Sequence, residues 1–208
     1  MPVKSTPRSY SSPARAAAAD ETRTRLVAAA RILLAGGEDV PPFSLDNVAK
    51  QAGVTRLTVY NQFESKRGLL EAVFDDMAQR GGLTELPSVL ADPDADLALR
   101  RFVSVFFHFW AAHESSMPKF AAAAALDGEF AVSLRLRRER RRQALTVLVK
   151  RLLPNAPKPN PDLVDLLFAL TGVEMFESLS ARNRSPANAE ALLQDLVAQT
   201  VKRYRGKS

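Results

Sequence analysis

Cysteine is absent from the sequence. That absence excludes disulfide scaffolds, thiolate zinc sites and cysteine nucleophiles together. Histidine is nearly as scarce, with two among 208 residues, so the usual nucleophile and base pairs of hydrolytic enzymes have few places to form. No GxSxG, HExxH or phosphate-cradling glycine loop occurs, and no paired carboxylates stand in a catalytic setting. An enzyme is not expected. Long apolar runs are missing as well. The longest, Phe102 to Ala112, is interrupted by His108 and is far short of the roughly 20 residues that span a bilayer. The first residues carry Lys4 and Arg8 with no apolar stretch, so no signal peptide is expected. A soluble cytoplasmic protein with no metal, cofactor or membrane partner is the expectation.

What is present makes a globular protein. Hydrophobic residues reach 46%, with aromatics at 7%, enough for a buried core and too many for a chain disordered throughout. The length lies between one large domain and two small ones. A net charge of +6 suits a polyanionic partner. The surplus is spread along the chain, so charge alone does not single out a nucleic-acid-binding half. Motifs must do that.

Residues 1–19 are rich in Ser, Pro and Ala, with Lys4, Arg8, Arg15 and no acid, which reads as a flexible basic arm. It is either a leader without a role or a modest, sequence-independent contact to a duplex. The helical period begins near Asp20. Leu26, Ala30, Leu33 and Leu34 share a face, and Gly36-Gly37 ends the segment. Ser44 is a candidate N-cap for a short helix striped by Leu45, Val48, Ala49 and Ala52, and Gly53 stands where a helix stops in the left-handed conformation. Thr55 caps a second short helix with Val59 and Phe63 inward, and Ser65 caps a longer one ending at Gly81-Gly82. Further helices are expected over about 93–113, 117–125, 128–153, 161–182 and 186–204, with the proline-rich stretch from Pro154 to Pro161 as a linker. No window alternates as a strand does. The expected fold is all-α, divided into the arm, a domain over 20–81 and a larger helical domain over 82–208.

Residues 44–63 form a short helix, a glycine turn and a second short helix, the pattern of a helix-turn-helix. Many helical hairpins never touch DNA. The outward positions of this second helix are Arg56, Leu57, Thr58, Tyr60 and Asn61, which are donors, acceptors and one methyl-bearing side chain. A merely solvated helix more commonly carries Glu and Lys there. Lys66 then begins the next helix, where its ammonium and the N-terminal amides can grip one phosphate.

The run Gly53-Val54-Thr55, Thr58-Val59-Tyr60, Phe63, Ser65-Lys66 and Leu69-Leu70 closely resembles the N-terminal domain of TetR-family transcriptional repressors, over about residues 22–81. It differs at Leu57, where the family commonly has a small residue, and at Asn61, where it often has histidine. The resemblance implies an all-α homodimer that binds a palindromic operator and is released by a small effector in a variable C-terminal domain. It also implies that Thr58, Tyr60 and Lys66 contact phosphates and that Arg56, Leu57 and Asn61 face bases. Thr55 would cap the recognition helix, and Ser44 joins the DNA-facing set. For Tyr60, packing beneath the helix is the alternative. A sequence-tolerant architectural DNA binder without an effector is the alternative function.

The C-terminal part is less specific. Leu163, Leu166, Leu167, Leu170 and Val173 stripe one helix, and Leu193, Leu196, Val197, Thr200, Val201 and Tyr204 stripe the last. Two such helices per subunit can build a four-helix dimer interface, or can pack inside the monomer. Phe102, Phe106, Phe109, Trp110, Met117, Phe120, Phe130, Phe168, Met175 and Phe176, with His113, are the candidate lining of a pocket for an apolar effector. They serve a filled core equally well. His108 and His113 lack the spacing of a helical metal pair. Arg135, Arg137, Arg138, Arg140, Arg141 and Arg142 wrap most of a helix. They read as a solvated face or as partners of acids such as Asp127, Glu174 and Glu177, with an anionic effector or a DNA contact as the alternative.

Overall fold

A computed structural model describes residues 13–37, 39–181 and 184–206, and among them only helices and loops occur. The chain divides into two compact units, Met1–Val73 and Phe74–Ser208. The first holds α1 (Pro13–Ala35), α2 (Leu45–Ala52), α3 (Arg56–Phe63) and the start of α4 (Lys66–Arg80). The second holds the end of α4, a 3-10 turn (Leu83–Glu85), α5 (Leu86–Ala91), α6 (Ala95–His113), α7 (Met117–Leu126), α8 (Gly128–Leu152), α9 (Pro161–Leu170), α10 (Val173–Ser180) and α11 (Pro186–Arg205). None of these helices is long and apolar enough to cross a membrane.

In the first unit α1 packs on α2 and α3. Leu26, Ala30, Leu33 and Leu34 of α1 are buried, as are Leu45, Val48, Ala49 and Ala52 of α2, which is the face set by the helical period. In the second unit α6 lies against α5, α8, α10 and α11, and α8 also meets α7 and α9. Phe102, Val103 and Phe107 of α6 meet Leu145 and Leu148 of α8, Leu163 and Leu167 of α9, and Leu193 and Val197 of α11 in one core. Removing a side chain as large as Phe102 from water stabilises the fold by roughly 1.5–3 kcal/mol.

Four boundaries differ from the sequence reading. The first helix starts at Pro13, so residues 13–19 are helical rather than an unstructured arm; residues 1–12 of that arm lie outside the described residues. Ala16 to Ala19 favour a helix by propensity alone and stay exposed, so no buried stripe marks them. The division between units falls inside α4 rather than at Gly81-Gly82, because Phe74 packs on Phe109 and Phe120 of the second unit. The expected helix over 161–182 is two, α9 and α10, broken at Thr171-Gly172. The Thr171 hydroxyl donates back to the Leu167 carbonyl at 2.8 Å, and Gly172 stands extended at the start of α10. Finally α5 has no counterpart in the sequence reading. Its six residues with Pro87 in the first turn are too short for a period to show, yet Val89 is fully buried.

Candidate functional site

The helix-turn-helix is assembled by local hydrogen bonds. Ser44 Oγ accepts from the Asn47 amide at 3.1 Å and caps α2, while the Asn47 side chain donates to the Pro42 carbonyl at 2.8 Å. Gly53 ends α2 with φ 66° and ψ 36°, a conformation that costs other L-residues about 1–2 kcal/mol. Thr55 Oγ1 accepts from the Thr58 amide at 3.3 Å and caps α3, and the two hydroxyls lie 2.9 Å apart. Val59 and Phe63 are buried beneath α3. Arg23 of α1 lies over the Phe63 ring, 4.4 Å from its centroid, and donates to the Gln62 carbonyl at 2.9 Å, which caps the end of α3. At the corner into α4, a Cβ on Gly68 would stand 2.2 Å from the Phe63 carbonyl oxygen, so only glycine lets the two helices meet this closely. Ser65 Oγ accepts from the Gly68 amide at 3.0 Å and closes the corner.

With Val59 and Phe63 turned inward, the other side of α3 is left to solvent. Leu57 is 67% exposed and Tyr60 41%, with Arg56 and Asn61 exposed beside them and Thr58 half-buried. Lys66 stands exposed at the start of α4, its Nζ 5.4 Å from the Phe43 ring centroid. Tyr60 is thus not packed beneath the helix. Arg56 is already engaged: its Nη1 pairs with Asp46 of α2 at 3.0 Å, and its guanidinium lies 5.7 Å from the Tyr60 ring centroid. That ion pair was not legible in the sequence, because the spacing of Asp46 and Arg56 becomes a contact only when the two helices cross.

The family described as bacterial regulatory proteins, tetR family, matches residues 26–73, which run from the second half of α1 to the first half of α4. Over these residues the chain matches the DNA-binding domain of the TetR family. It is similar to the HTH-type transcriptional regulator EthR of Mycobacterium tuberculosis, 32% identical over 116 residues, or 54% of this chain and 52% of that protein. The EthR of Mycolicibacterium smegmatis is 31% identical over 100 residues, 47% of this chain and 45% of that protein. An uncharacterized HTH-type transcriptional regulator, TtgW of Pseudomonas putida, is 48% identical over 59 residues, 28% of this chain and 42% of that protein. The chain therefore spans about half the length of the curated relatives it matches. Among solved structures, a TetR-family transcriptional regulator from Mesorhizobium loti aligns with a TM-score of 0.64 at 17% identity, over 88% of this chain and 96% of that one. A TetR regulator from Streptomyces coelicolor aligns with a TM-score of 0.54 at 23% identity, over 86% and 97%. At these identities the two structures speak for the fold alone.

Beyond the helix-turn-helix, the chain has a cavity of about 670 Å³ inside its second unit. Of the candidate pocket residues, Phe106, Phe109, Trp110, Met117, Phe120 and Phe168 line it. The others do not. Phe102 and Phe176 are in the core, Phe130 packs on Phe120, and Met175 packs against the core from its edge. His113 is buried and donates from Nε2 to the Met77 carbonyl at 3.0 Å, a structural bond. The lining also includes residues the sequence reading missed, among them Phe74, Leu86, Leu134, Arg137 and Arg141. The signal was available for Arg141: it follows Leu134 by seven residues and precedes Leu145 and Leu148 by four and seven, so it sits on the apolar stripe of α8.

The arginine run separates into distinct roles. Arg137 pairs with Asp75 at 2.6 Å and Arg138 approaches Glu174 at 4.0 Å. Arg142 pairs with Asp165 of α9. Asp127 is a cap, accepting from the Phe130 amide at 2.9 Å. Arg141 is buried, 8% exposed. Its Nη1 donates to the Thr171 carbonyl, and its guanidinium lies over Phe168 at 4.2 Å and near Phe106 at 5.5 Å and Trp110 at 6.0 Å. Burial pushes its pKa down to about 10, against a raising influence from Glu174.

The candidate interface stripe needs correction. Leu163, Leu167, Leu193, Val197 and Val201 are spent in the core of their own unit. Leu170, Leu196 and Tyr204 are half-buried. A helical period identifies the buried face without naming what buries it, and here the monomer does. Among the described residues, the large apolar side chains left exposed on these neighbouring helices are Leu166 at 44% exposure and Leu192 at 37%. Among the described residues no three His, Asp or Glu side chains gather as a metal site.

Proposed function

We propose that this chain is a DNA-binding transcriptional regulator, a homodimeric repressor that holds a palindromic operator and releases it when a small molecule binds. The observation that carries the reading is the outward face of α3, where Arg56, Leu57, Tyr60 and Asn61 stand exposed on a helix anchored by Val59 and Phe63. Arg56, Leu57 and Asn61 face bases. Tyr60, Thr58 and Lys66 contact phosphates, and Thr55 and Ser44 cap the two helices that present them. Leu57 supplies an apolar contact suited to a thymine methyl.

Two copies place two such helices about one duplex turn apart, roughly 34–36 Å, to meet successive major grooves. Leu166 and Leu192 support a subunit interface on the outer side of α9 and α11. The cavity supports an effector site, because Phe74, Asp75 and Ala78 of its wall belong to α4, the helix that begins in the DNA-binding unit. An effector that prefers one setting of α4 lowers DNA affinity by its differential affinity for the two settings.

Selection from random duplexes at physiological salt tests the reading. The expected result is a palindromic site bound about a thousandfold or more tighter than unrelated duplexes. Absence of enrichment, with binding lost as salt rises, would replace it by the sequence-tolerant architectural reading.

A further inference from the structure

Arg141 is the buried cation of the cavity, and it has no carboxylate of its own. Among the described residues its hydrogen bonds leave only from Nη1, to the carbonyl and, at 3.4 Å, the hydroxyl of Thr171. The nearby acids are engaged or exposed: Asp75 is held by Arg137, Glu174 lies 4.0 Å from Arg138, and Glu177 is exposed. A guanidinium presents five N–H donors in a fixed fork. Nε and Nη2 donate to no described residue, while the aromatic faces of Phe106, Trp110 and Phe168 flank the group. Burying a cation in this way is costly, and a well-packed apolar side chain would serve a core better. The cost has a use if the missing carboxylate arrives with a ligand.

We propose that the cavity takes a small amphiphilic organic anion, a carboxylate with an aromatic or aliphatic body, whose charged end is bound by Arg141 and whose body lies among Phe74, Phe106, Phe109, Trp110, Phe120 and Phe168. The proposal rests on the reading of the cavity as an effector site and names the chemical class it accepts. A carboxylate meets the free donors in bidentate fashion. It also neutralises the charge whose desolvation lowers the Arg141 pKa. An apolar body without charge fills the same rings and leaves the buried cation as it was.

The chain's single tryptophan is Trp110, and its indole Nε1 donates to the same Thr171 carbonyl at 3.0 Å. Its fluorescence therefore reports events at Arg141. Biphenyl-4-carboxylate, biphenyl-4-methanol and biphenyl-4-methylamine share one outline and differ in charge. They are titrated into the full purified chain and followed by Trp110 emission and by calorimetry. The carboxylate is expected to bind at least about tenfold tighter than the alcohol, with the amine weakest. In Arg141→Met the preference for the carboxylate disappears and the alcohol's affinity is kept. Equal binding of acid and alcohol overturns the anion assignment and leaves the effector site standing. Retention of the acid's preference in Arg141→Met overturns the role of Arg141. If none of the three binds, the effector site and the anion assignment both fail. Should Arg141→Met not fold, the ranking of the three compounds on the unaltered chain decides.

Discussion

Arg56 and Arg141 both carry a full positive charge, and their surroundings set opposite tasks. Arg56 is exposed and shared with Asp46, so it reaches a base only by leaving that carboxylate. Asp46→Asn is therefore expected to raise affinity for duplexes several-fold in a fluorescence titration at physiological salt; a loss instead would mean that Asp46 positions Arg56 for its contact. Asn61→Ala should change preference among sequences by about 1–3 kcal/mol at one base pair, whereas Tyr60→Ala should weaken all duplexes alike. Unchanged preference in Asn61→Ala would remove that side chain from the base-facing set. For Arg141 the prediction concerns stability. The Thr171 carbonyl keeps its bond from Trp110, so Arg141→Met orphans no acceptor. Its unfolding free energy in urea should be unchanged or higher by about 1–3 kcal/mol. A clear loss would show that the arginine is there to hold α8 to the end of α9.

At the scale of helices, the turns and corners are set by single residues. A Cβ on Gly53 would meet nothing within 4 Å, so Gly53→Ala isolates the backbone cost of the left-handed turn. It should destabilise the chain by about 1–2 kcal/mol, and Gly53→Asn by less. Asp94 caps α6 by accepting from the amides of Leu97 and Asp96 at 3.0 and 2.9 Å, and these bonds hold its carboxyl below the usual range. A lowered folded pKa gives stability that is present above the unfolded value, about 4, and is lost as the pH falls through the folded value. The difference in stability between the unaltered chain and Asp94→Ala should then shrink on acidification below about pH 4, as thermal melts across pH would record. The helices legible in the sequence were those with a buried stripe and a cap, such as α2, α3, α6, α8 and α11. Helix α5 was illegible because six residues cannot display a period. The α9–α10 break was hidden because one apolar stripe continues through Thr171-Gly172.

At the scale of the whole molecule, the proposed dimer gives a mass prediction. Sedimentation should report about twice 22.8 kDa, and Leu166→Glu with Leu192→Glu should return the chain to that single mass while leaving its helicity intact. A monomer in the unaltered chain would deny the spacing of two recognition helices. The amino-acid sequence by itself determined the all-α class and the helix-turn-helix with its capping hydroxyls and glycine turn. These follow from interactions among residues a few positions apart, which spacing alone records. It also carried the spacings by which the TetR resemblance was recognised. Tertiary structure alone decided which apolar stripes are spent inside the monomer, which aromatic residues surround a space, and which arginine of the run is buried without a carboxylate. Those outcomes depend on how distant helices cross and on what remains unfilled between them, and periodicity along one helix contains neither.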